Sequence, residues 1–489
     1  MRLNYLANAI GLIMIYIGIV ILSPIAVAIY YQEYTSVVPF ATAALVSILC
    51  GLALRKFIKD ASKVDSLNDI KKAEALFIVA TSWIVFGIVS GTPYLFYGIN
   101  PIDSLFEAVS GITTTGATIL TNFNYPHAFF FWRGLTQWLG GLGIIVLFIA
   151  ILPQFAVAGR QMFFAETPGP TEDKFTPRIR NTASALWKVY AGITIVQIIL
   201  LIIAGMPVFD AICNSFGTMA AGGFSPNPQS TMGYHSNYIT WIILIFMFLA
   251  GASFNLQYKA IIHKNPLLLF KSEEFRTYLS AVLFMSGLIT ISLVLNLHYS
   301  IFSGITHSLY QVISIATSTG SASVDFAQWD FTSKLLLYLV MFMGSCSSSA
   351  GGGIKMTRWM IVFKSMKSEL IRILHPNAII NIKIDDKTVS PEIIRQIVVY
   401  VFFYFLIFAI ISVLISLLEK NAIIGLASSI TSVGNIGPGF SGAIGPMGCF
   451  ANLHIASKAL MIVGMLVGRL ELIPFLVMFQ RDFWSLKSN

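Results

Sequence analysis

Four short segments rich in threonine, serine and glycine interrupt an otherwise apolar chain of 489 residues. Rings of backbone carbonyl and hydroxyl oxygens can replace the water shell of a dehydrated monovalent cation. Glycine lets the backbone present such a carbonyl in conformations that are closed to other residues. The predicted chemistry is therefore cation coordination rather than a covalent reaction. The predicted ligand positions are Thr113, Thr114, Thr115, Gly116, Ala220, Ala221, Gly222, Gly223, Thr317, Ser318, Thr319, Gly320, Thr431, Ser432, Val433 and Gly434.

The four segments are spaced as an internal repeat. An alignment on their last common glycine gives separations of 107, 97 and 114 residues between Gly116, Gly223, Gly320 and Gly434. Thirteen residues before these glycines stand Asp103, Asp210, His307 and Asn421. Asp and Asn side chains cap helices well, because they accept hydrogen bonds from the free amides of the first turn. The register therefore predicts a half-helix that starts at each of these positions and ends at a glycine segment.

Long apolar runs on both sides of each segment must position it. Hydrophobic residues make up 56% of the chain and charged residues 11%, against about 25% charged in soluble domains. A membrane-spanning helix needs about 20 apolar residues. Two extra spans, over 5–30 and 36–57, precede the first repeat. The first spans of the repeats are predicted over 74–97, 183–206, 277–299 and 394–418, and the second spans over 132–153, 238–260, 334–362 and 455–480.

This pattern predicts an all-α polytopic membrane protein with ten full spans. Two N-terminal helices precede four pseudo-fourfold helix–pore-loop–helix repeats around a single central pore. Non-helical backbone at membrane depth is tolerated where it lines an aqueous path, and the half-helices would point their negative C-terminal ends at a cation. The predicted limits are 1–72 for the N-terminal region and its linker, and 73–160, 161–265, 266–375 and 376–489 for the repeats.

The basic residues predict the orientation of the chain. Of 31 lysines and arginines, 26 lie near the termini and in the segments 55–72, 160–188, 259–276 and 355–395. Excess positive charge marks cytoplasmic loops, so both termini are expected in the cytoplasm. This placement argues against nucleic acid as a partner, and docking of a cytoplasmic protein is a second use for these charges.

The four cysteines lack metal-ligand spacing, and packing is expected of Cys213 and Cys346.

Two anomalies inside the spans are candidate gates. The second span of the third repeat is interrupted at 344–353, where successive glycines should break the helix. The predicted gate residues there are Gly344, Ser345, Gly351, Gly352 and Gly353. The alternative is a tight packing kink. Arg469 lies in an apolar span, where a charge is costly and is by default functional; the alternative is a structural ion pair to another repeat. Lys355 and Arg358, which follow the loop, could contact a regulatory subunit or anchor the helix end.

The fourth segment, Thr431-Ser-Val-Gly-Asn, resembles the Thr-Val-Gly-Tyr-Gly signature of potassium channels. The whole arrangement resembles the Trk/Ktr/HKT superfamily of potassium transporters, and the two extra spans are similar to the bacterial TrkH type. The resemblance implies K⁺ as the transported ion, no organic cofactor, and the inner (plasma) membrane of a bacterium. It also implies a homodimer and a cytosolic TrkA-type subunit that binds nucleotides.

The resemblance further implies roles for single residues. Glycine in all four filters is associated with potassium selectivity, and Gly116 fills the first position. The intramembrane loop would obstruct the pore, and Arg469 would act as an electrostatic barrier near it. The second segment departs from the pattern, since Ala220 and Ala221 stand where hydroxyl residues are expected, so only backbone carbonyls are expected to coordinate there.

Two other classes of function compete with a potassium pore. An ion-coupled secondary transporter, moving potassium with protons or sodium, also has repeats and broken helices. The four units here run in the same direction, which is not the inverted pattern of such folds. An enzyme is disfavoured because the spans carry neither paired carboxylates nor a His-x-x-x-His or Ser/His couple. The chain also contains no phosphate-binding Gly-x-x-x-x-Gly-Lys-Ser/Thr motif, so nucleotide control must come from a partner.

Overall fold

The computed structural model describes residues 3–56, 72–143, 179–378 and 380–470. The N-terminal region contains α1 (Leu3–Ile21), α2 (Ser23–Tyr30) and α3 (Val37–Lys56), with a 3₁₀ turn over Tyr34–Ser36. α1 and α3 pack closely because Gly11 and Gly51 face each other. A Cβ on Gly51 would lie 2.5 Å from the carbonyl oxygen of Gly11. Small residues of this kind let membrane helices approach backbone to backbone.

Four units with the same order of elements follow. The first contains α4 (Lys72–Leu95), α5 (Pro101–Ile112) and α6 (His127–Gly141), and the second contains α7 (Ile179–Ile203), α8 (Val208–Met219), α9 (Asn237–Gly251) and α10 (Phe254–Ile262). The third contains α11 (Leu268–Lys271), α12 (Glu273–Leu297), α13 (Ile301–Ala316), α14 (Phe331–Val340) and α15 (Met356–Leu374). A hairpin of β1 (Lys383–Ile384) and β2 (Lys387–Thr388) leads to α16 (Pro391–Glu419), α17 (Ala422–Gly434) and α18 (Ile455–Arg469). Short 3₁₀ turns cover Ser230–Tyr234 and Phe326–Gln328.

The long helices confirm a helical protein with several membrane spans. Within the described residues six helices are long and apolar enough to cross a bilayer. They are Leu6–Tyr30, Tyr34–Lys56, Leu76–Leu95, Ala183–Ile203, Glu273–Leu297 and Pro391–Glu419. The predicted ends of the second spans in units one and four, at 153 and 480, and the repeat boundary at 160/161 lie outside the described residues.

The prediction of a continuous second span is wrong in unit two, whereas the predicted interruption of the second span in unit three is confirmed. α9 and α10 are bent by 100° at Ala252 and Ser253, and α14 and α15 are separated by the loop 341–355. The two breaks satisfy each other's backbone groups. The amide of Cys346 donates to the carbonyl of Gly251 at 2.9 Å, and the amide of Phe254 donates to Ser348 at 3.0 Å. A helix can therefore end at this depth because its free carbonyls find partners in the neighbouring unit.

The short helices α5, α8, α13 and α17 exist as predicted, but three of the four predicted starting positions are wrong. Asn100 caps α5 by accepting a hydrogen bond from the amide of Asp103, and Ser300 caps α13. α8 begins after Pro207, which leaves Asp210 in its first turn. His307 lies inside α13. The fourth cap is confirmed, since the side chain of Asn421 accepts from Ile423 and Ile424.

Candidate functional site: a ring of four glycine segments

The chain makes the same turn after each short helix. The amides of Thr115 and Gly116 both donate to the carbonyl of Ser110, at 2.9 and 3.4 Å. The carbonyls of Gly217 in unit two and Ser314 in unit three accept the corresponding pair of amides, and in unit four the carbonyl of Thr431 accepts from the amide of Ile436. Each turn then contains a left-handed residue and, two positions later, a left-handed glycine. The left-handed pairs are Thr114 and Gly116, Ala221 and Gly223, Ser318 and Gly320, and Asn435 and Gly437.

This geometry corrects the alignment of the fourth segment by three residues. Gly434 is the last residue of α17, whereas Gly437, at φ +102°, occupies the position of Gly116. The helix thus continues through Thr431, Ser432 and Val433. The same correction explains the wrong caps, since Asn100, Pro207 and Asn421 each precede the matching glycine by 16 residues. α13 begins one turn earlier, after Ser300.

The four segments close a ring in chain order. Each glycine contacts the carbonyl oxygen of the residue that precedes the glycine of the next segment. A Cβ on Gly116 would lie 2.0 Å from the Gly222 oxygen, and one on Gly223 would lie 1.9 Å from the Thr319 oxygen. A Cβ on Gly320 would lie 2.3 Å from the Ile436 oxygen, and one on Gly437 would lie 2.8 Å from the Thr115 oxygen, which completes the ring. Any side chain at these positions would push two segments apart.

The two faces of this ring differ. One face opens into a cavity lined by Gly116, Gly223, Gly320 and Gly437 together with the residues that follow them. The other face is covered by the glycine-rich loop of unit three. There the amide of Gly352 donates to Ser318 Oγ at 2.6 Å, and a Cβ on Gly351 would lie 2.6 Å from the Thr317 oxygen. The loop 341–355 therefore lies directly against the ring.

The buried hydroxyl groups of the segments bond mainly within the protein. Thr113 pairs with Thr115 and Thr317 pairs with Thr319, each at 2.8 Å between the Oγ1 atoms. Asn435 donates from Nδ2 to Thr115 Oγ1 at 2.9 Å, which ties the fourth segment to the first. Because these side-chain oxygens are already bonded, a cation bound in the ring would be coordinated mainly by backbone carbonyls. Sequence reasoning missed Asn435 and Gly437, because the distance of 13 residues from Asn421 to Gly434 matches the other three copies and gives no sign of the shift.

Arg469 joins three of the four units. Its guanidinium donates to the carbonyls of Gly140 and Gly141 at the end of α6, at 2.5 and 2.9 Å. It also donates to the carbonyl of Ala350 in the glycine-rich loop, at 3.0 Å. The end of α6 carries a partial negative charge, which favours a cation there. The arginine at the end of α18 therefore holds the loop in place against α6.

Lys355 and Arg358 are buried. Lys355 Nζ donates to the carbonyl of Gly351, and the Arg358 guanidinium stacks over the Tyr400 ring at 3.9 Å. These contacts favour the anchoring role over contact with a subunit. The predicted packing of Cys213 and Cys346 is confirmed, since both are buried and free.

A buried ion pair and a partly buried one hold α5, and sequence reasoning missed both. Arg133 on α6 contacts Glu107 at 2.6 Å, and Lys458 on α18 contacts Asp103 at 2.6 Å. Glu107 also accepts from the amide of Ile119, just beyond the first segment, at 3.0 Å. A signal was present, because Arg133 and Lys458 are two of the five basic residues outside the basic clusters. Within the described residues no group of three or more His, Cys, Asp and Glu side chains could hold a metal ion.

Comparison with known proteins assigns the chain to one family. The model of the family described as "TrkH: Cation transport protein" matches residues 41–486. The chain is 36% identical to the Trk system potassium uptake protein TrkH of Salmonella typhimurium over 423 residues, covering 85% of this chain and 87% of that one. It is 32% identical to TrkH of Vibrio parahaemolyticus, covering 99% and 100%. The crystal structure of the potassium transporter TrkH from Vibrio parahaemolyticus superposes with a TM-score of 0.87 at 29% identity, covering 99% and 100%.

Proposed function

The chain belongs to the TrkH family of cation transport proteins, and we propose that it is a potassium uptake protein whose ions cross the membrane through the ring of four segments. The observation that carries this proposal is the closed ring of glycine-to-carbonyl contacts. Four backbone segments around one axis offer the carbonyl ligands that a dehydrated potassium ion needs. The short helices end at the ring, so their negative ends favour a cation beside it.

The proposed ligands are the backbone carbonyls of residues 113–116, 220–223, 317–320 and 434–437. Side-chain hydroxyls contribute less, because Thr113, Thr115, Thr317 and Thr319 are bonded to each other in pairs. In the fourth segment Gly434 stays in the proposed set, while Asn435, Ile436 and Gly437 replace Thr431, Ser432 and Val433. Ions would enter from the cavity that the four glycines line.

The glycine-rich loop and Arg469 form the proposed gate. The loop lies against the ring and is held there by Arg469 through Ala350. In this arrangement Gly344, Ser345, Gly351, Gly352 and Gly353 obstruct the path, and the guanidinium opposes a passing cation. Substitution of Arg469 by alanine should increase potassium flux while the protein still folds. Unchanged flux would remove the barrier role and leave a packing role.

The membrane location and the partners of the protein follow from the same family assignment. Several apolar helices support a multi-pass protein of the bacterial inner membrane. The relatives are named as parts of a Trk system, which supports a regulatory partner. We propose that this partner is a cytosolic nucleotide-binding subunit of the TrkA type and that two copies of the chain form a dimer.

Ion flux through the purified protein in liposomes tests the proposal. Potassium, rubidium, sodium and lithium are compared in the same vesicles. Potassium and rubidium are expected to pass faster than sodium and lithium, because carbonyl ligands replace the water shell of the larger ions. Equal rates for all four ions would contradict the filter assignment.

A further inference from the structure

The second segment lacks the hydroxyl groups that brace segments one and three. In unit one the bracing side chains are Ser110, Thr113 and Thr115, and in unit three they are Ser314, Thr317 and Thr319. The serines donate to the carbonyls of Ala117 and Ser321, each at 2.6 Å, and the threonines pair with each other. The equivalent residues of unit two are Gly217, Ala220 and Gly222, which carry no hydroxyl group.

The side chain of Gln137 fills the space that these hydroxyl groups leave. Gln137 lies on α6 of the first unit and is fully buried. A Cβ on Gly222 would lie 2.6 Å from Gln137 Cδ, and a Cβ on Gly217 would lie 3.1 Å from Gln137 Oε1. Gly217 and Gly222 therefore leave the space that the Gln137 side chain occupies, since a side chain at Gly222 would collide with it.

The amide of Gln137 makes two hydrogen bonds to the second segment. Nε2 donates to the carbonyl of Gly222 at 2.7 Å, and Oε1 accepts from the amide of Phe224 at 2.9 Å. Only one orientation of the amide satisfies both partners, because Gly222 offers an acceptor and Phe224 a donor. The Gly222 carbonyl is one of the four in the ring and contacts Gly116. The glutamine therefore fixes both sides of Gly223.

We propose that Gln137 is the positioning residue of the second filter segment and a determinant of potassium selectivity. The inference rests on the proposed function. Three of the residues between 217 and 223 are glycines, whose backbone is freer than that of other residues. Without hydroxyl groups, the buried amide supplies the restraint that keeps the Gly222 carbonyl in the ring. A buried carbonyl that loses its donor is also left unsatisfied, which further loosens the segment.

The test compares Gln137→Met with the matched control Gln197→Met in the liposome assay. Both glutamines are fully buried, but Gln197 lies on α7 and its amide has no hydrogen-bond partner among the described residues, so its loss reports on burial alone. Q137M should lower the ratio of potassium to sodium flux by about tenfold, which corresponds to about 1.4 kcal/mol. Q197M should keep the ratio of the unmodified protein. Gln137→Asn, whose side chain is too short for its amide to reach both partners, should also lower the ratio. If Q137M does not fold, Q137N tests the role of Gln137 in its place.

A rescue variant tests the mechanism. In Q137A/A220T/G222T the glutamine is removed and the threonine pair of segments one and three is introduced. This variant should regain most of the selectivity that Q137M loses. If the unmodified protein is selective and Q137M or Q137N has the same flux ratio, the role of Gln137 is overturned and the proposed function stands. An unmodified protein that does not distinguish potassium from sodium would overturn the proposed function and this inference with it.

Discussion

Gly434 and Gly437 show how a single residue sets the register of the fourth filter segment. Both are glycines near the end of α17, but Gly437 has a left-handed backbone and Gly434 is the last helical residue. A residue other than glycine costs about 1–2 kcal/mol in the left-handed region. Sequence pattern alone favoured Thr431-Ser-Val-Gly, because it has the hydroxyl-rich composition of the first and third segments. The choice depends on where the helix ends, which is set by tertiary contacts.

Gly437→Ala should therefore reduce potassium selectivity, whereas Gly434→Ala should largely retain it. The new Cβ at position 437 would lie 2.8 Å from the Thr115 carbonyl oxygen and would separate the fourth segment from the first. At position 434 the nearest atom is the Cδ1 end of Ile436, also 2.8 Å away, which can rotate. The flux ratio of potassium to sodium in liposomes measures both. Loss of selectivity in G434A but not in G437A would instead support the register predicted from sequence, with Gly434 at the position of Gly116.

The Arg133–Glu107 pair should make a large contribution to stability. Both side chains are almost fully buried, and breaking such a pair leaves a charge without a partner, at a cost of about 3–5 kcal/mol. Arg133→Met should accordingly lower the free energy of unfolding in detergent, measured by denaturant titration. Arg372→Met, which breaks the exposed pair with Glu369, is the control and should cost about 0–1 kcal/mol. Equal losses of unfolding free energy in the two variants would show that burial does not determine how much the Arg133–Glu107 pair contributes to stability.

At the scale of elements, the sequence predicts the long helices well and their breaks poorly. Apolar length is enough to locate α4, α7, α12 and α16, because a bilayer requires it. The glycine run at 351–353 also predicts the loop between α14 and α15. The bend at Ala252 has no such signal, because its carbonyls are satisfied by residues 346–350 of another unit. A break that depends on a partner about one hundred residues away cannot be inferred from local composition.

Gly352→Ala should displace the loop from the ring and raise basal potassium flux. A Cβ at this position would lie 2.7 Å from the Gly434 carbonyl oxygen and 3.0 Å from Asn435 Cβ, so the loop must move away from the fourth segment. Gly192→Ala on α7 is the control, because among the described residues no atom beyond its own stretch of helix lies within 4 Å of its new Cβ. Initial rates of rubidium uptake into liposomes report the change. A rate in G352A equal to that in G192A would favour a rigid packing kink over a gate.

At the scale of the whole molecule, the four units share one plan and differ in what each adds to it. Unit one supplies Gln137, which braces the second segment, and unit three supplies the loop against the ring. Unit four supplies Arg469, which ties that loop to α6. Four identical subunits could not divide these tasks. The repeat could be found in the sequence, but the contacts between units could not, since they join residues up to 355 positions apart.

The distribution of basic residues predicts which end of this arrangement faces the cytoplasm. Lys264, between α10 and α11, lies in a basic cluster, and Lys420, at the end of α16, does not; both are exposed. Positive clusters remain on the cytoplasmic side. In a background with Cys50 and Cys449 replaced by serine, an impermeant maleimide applied to intact cells should label Lys420→Cys. Lys264→Cys should react only after the membrane is permeabilised. The reverse pattern would place the glycine-lined cavity on the cytoplasmic side, and ions taken up from outside would then meet the loop before the ring.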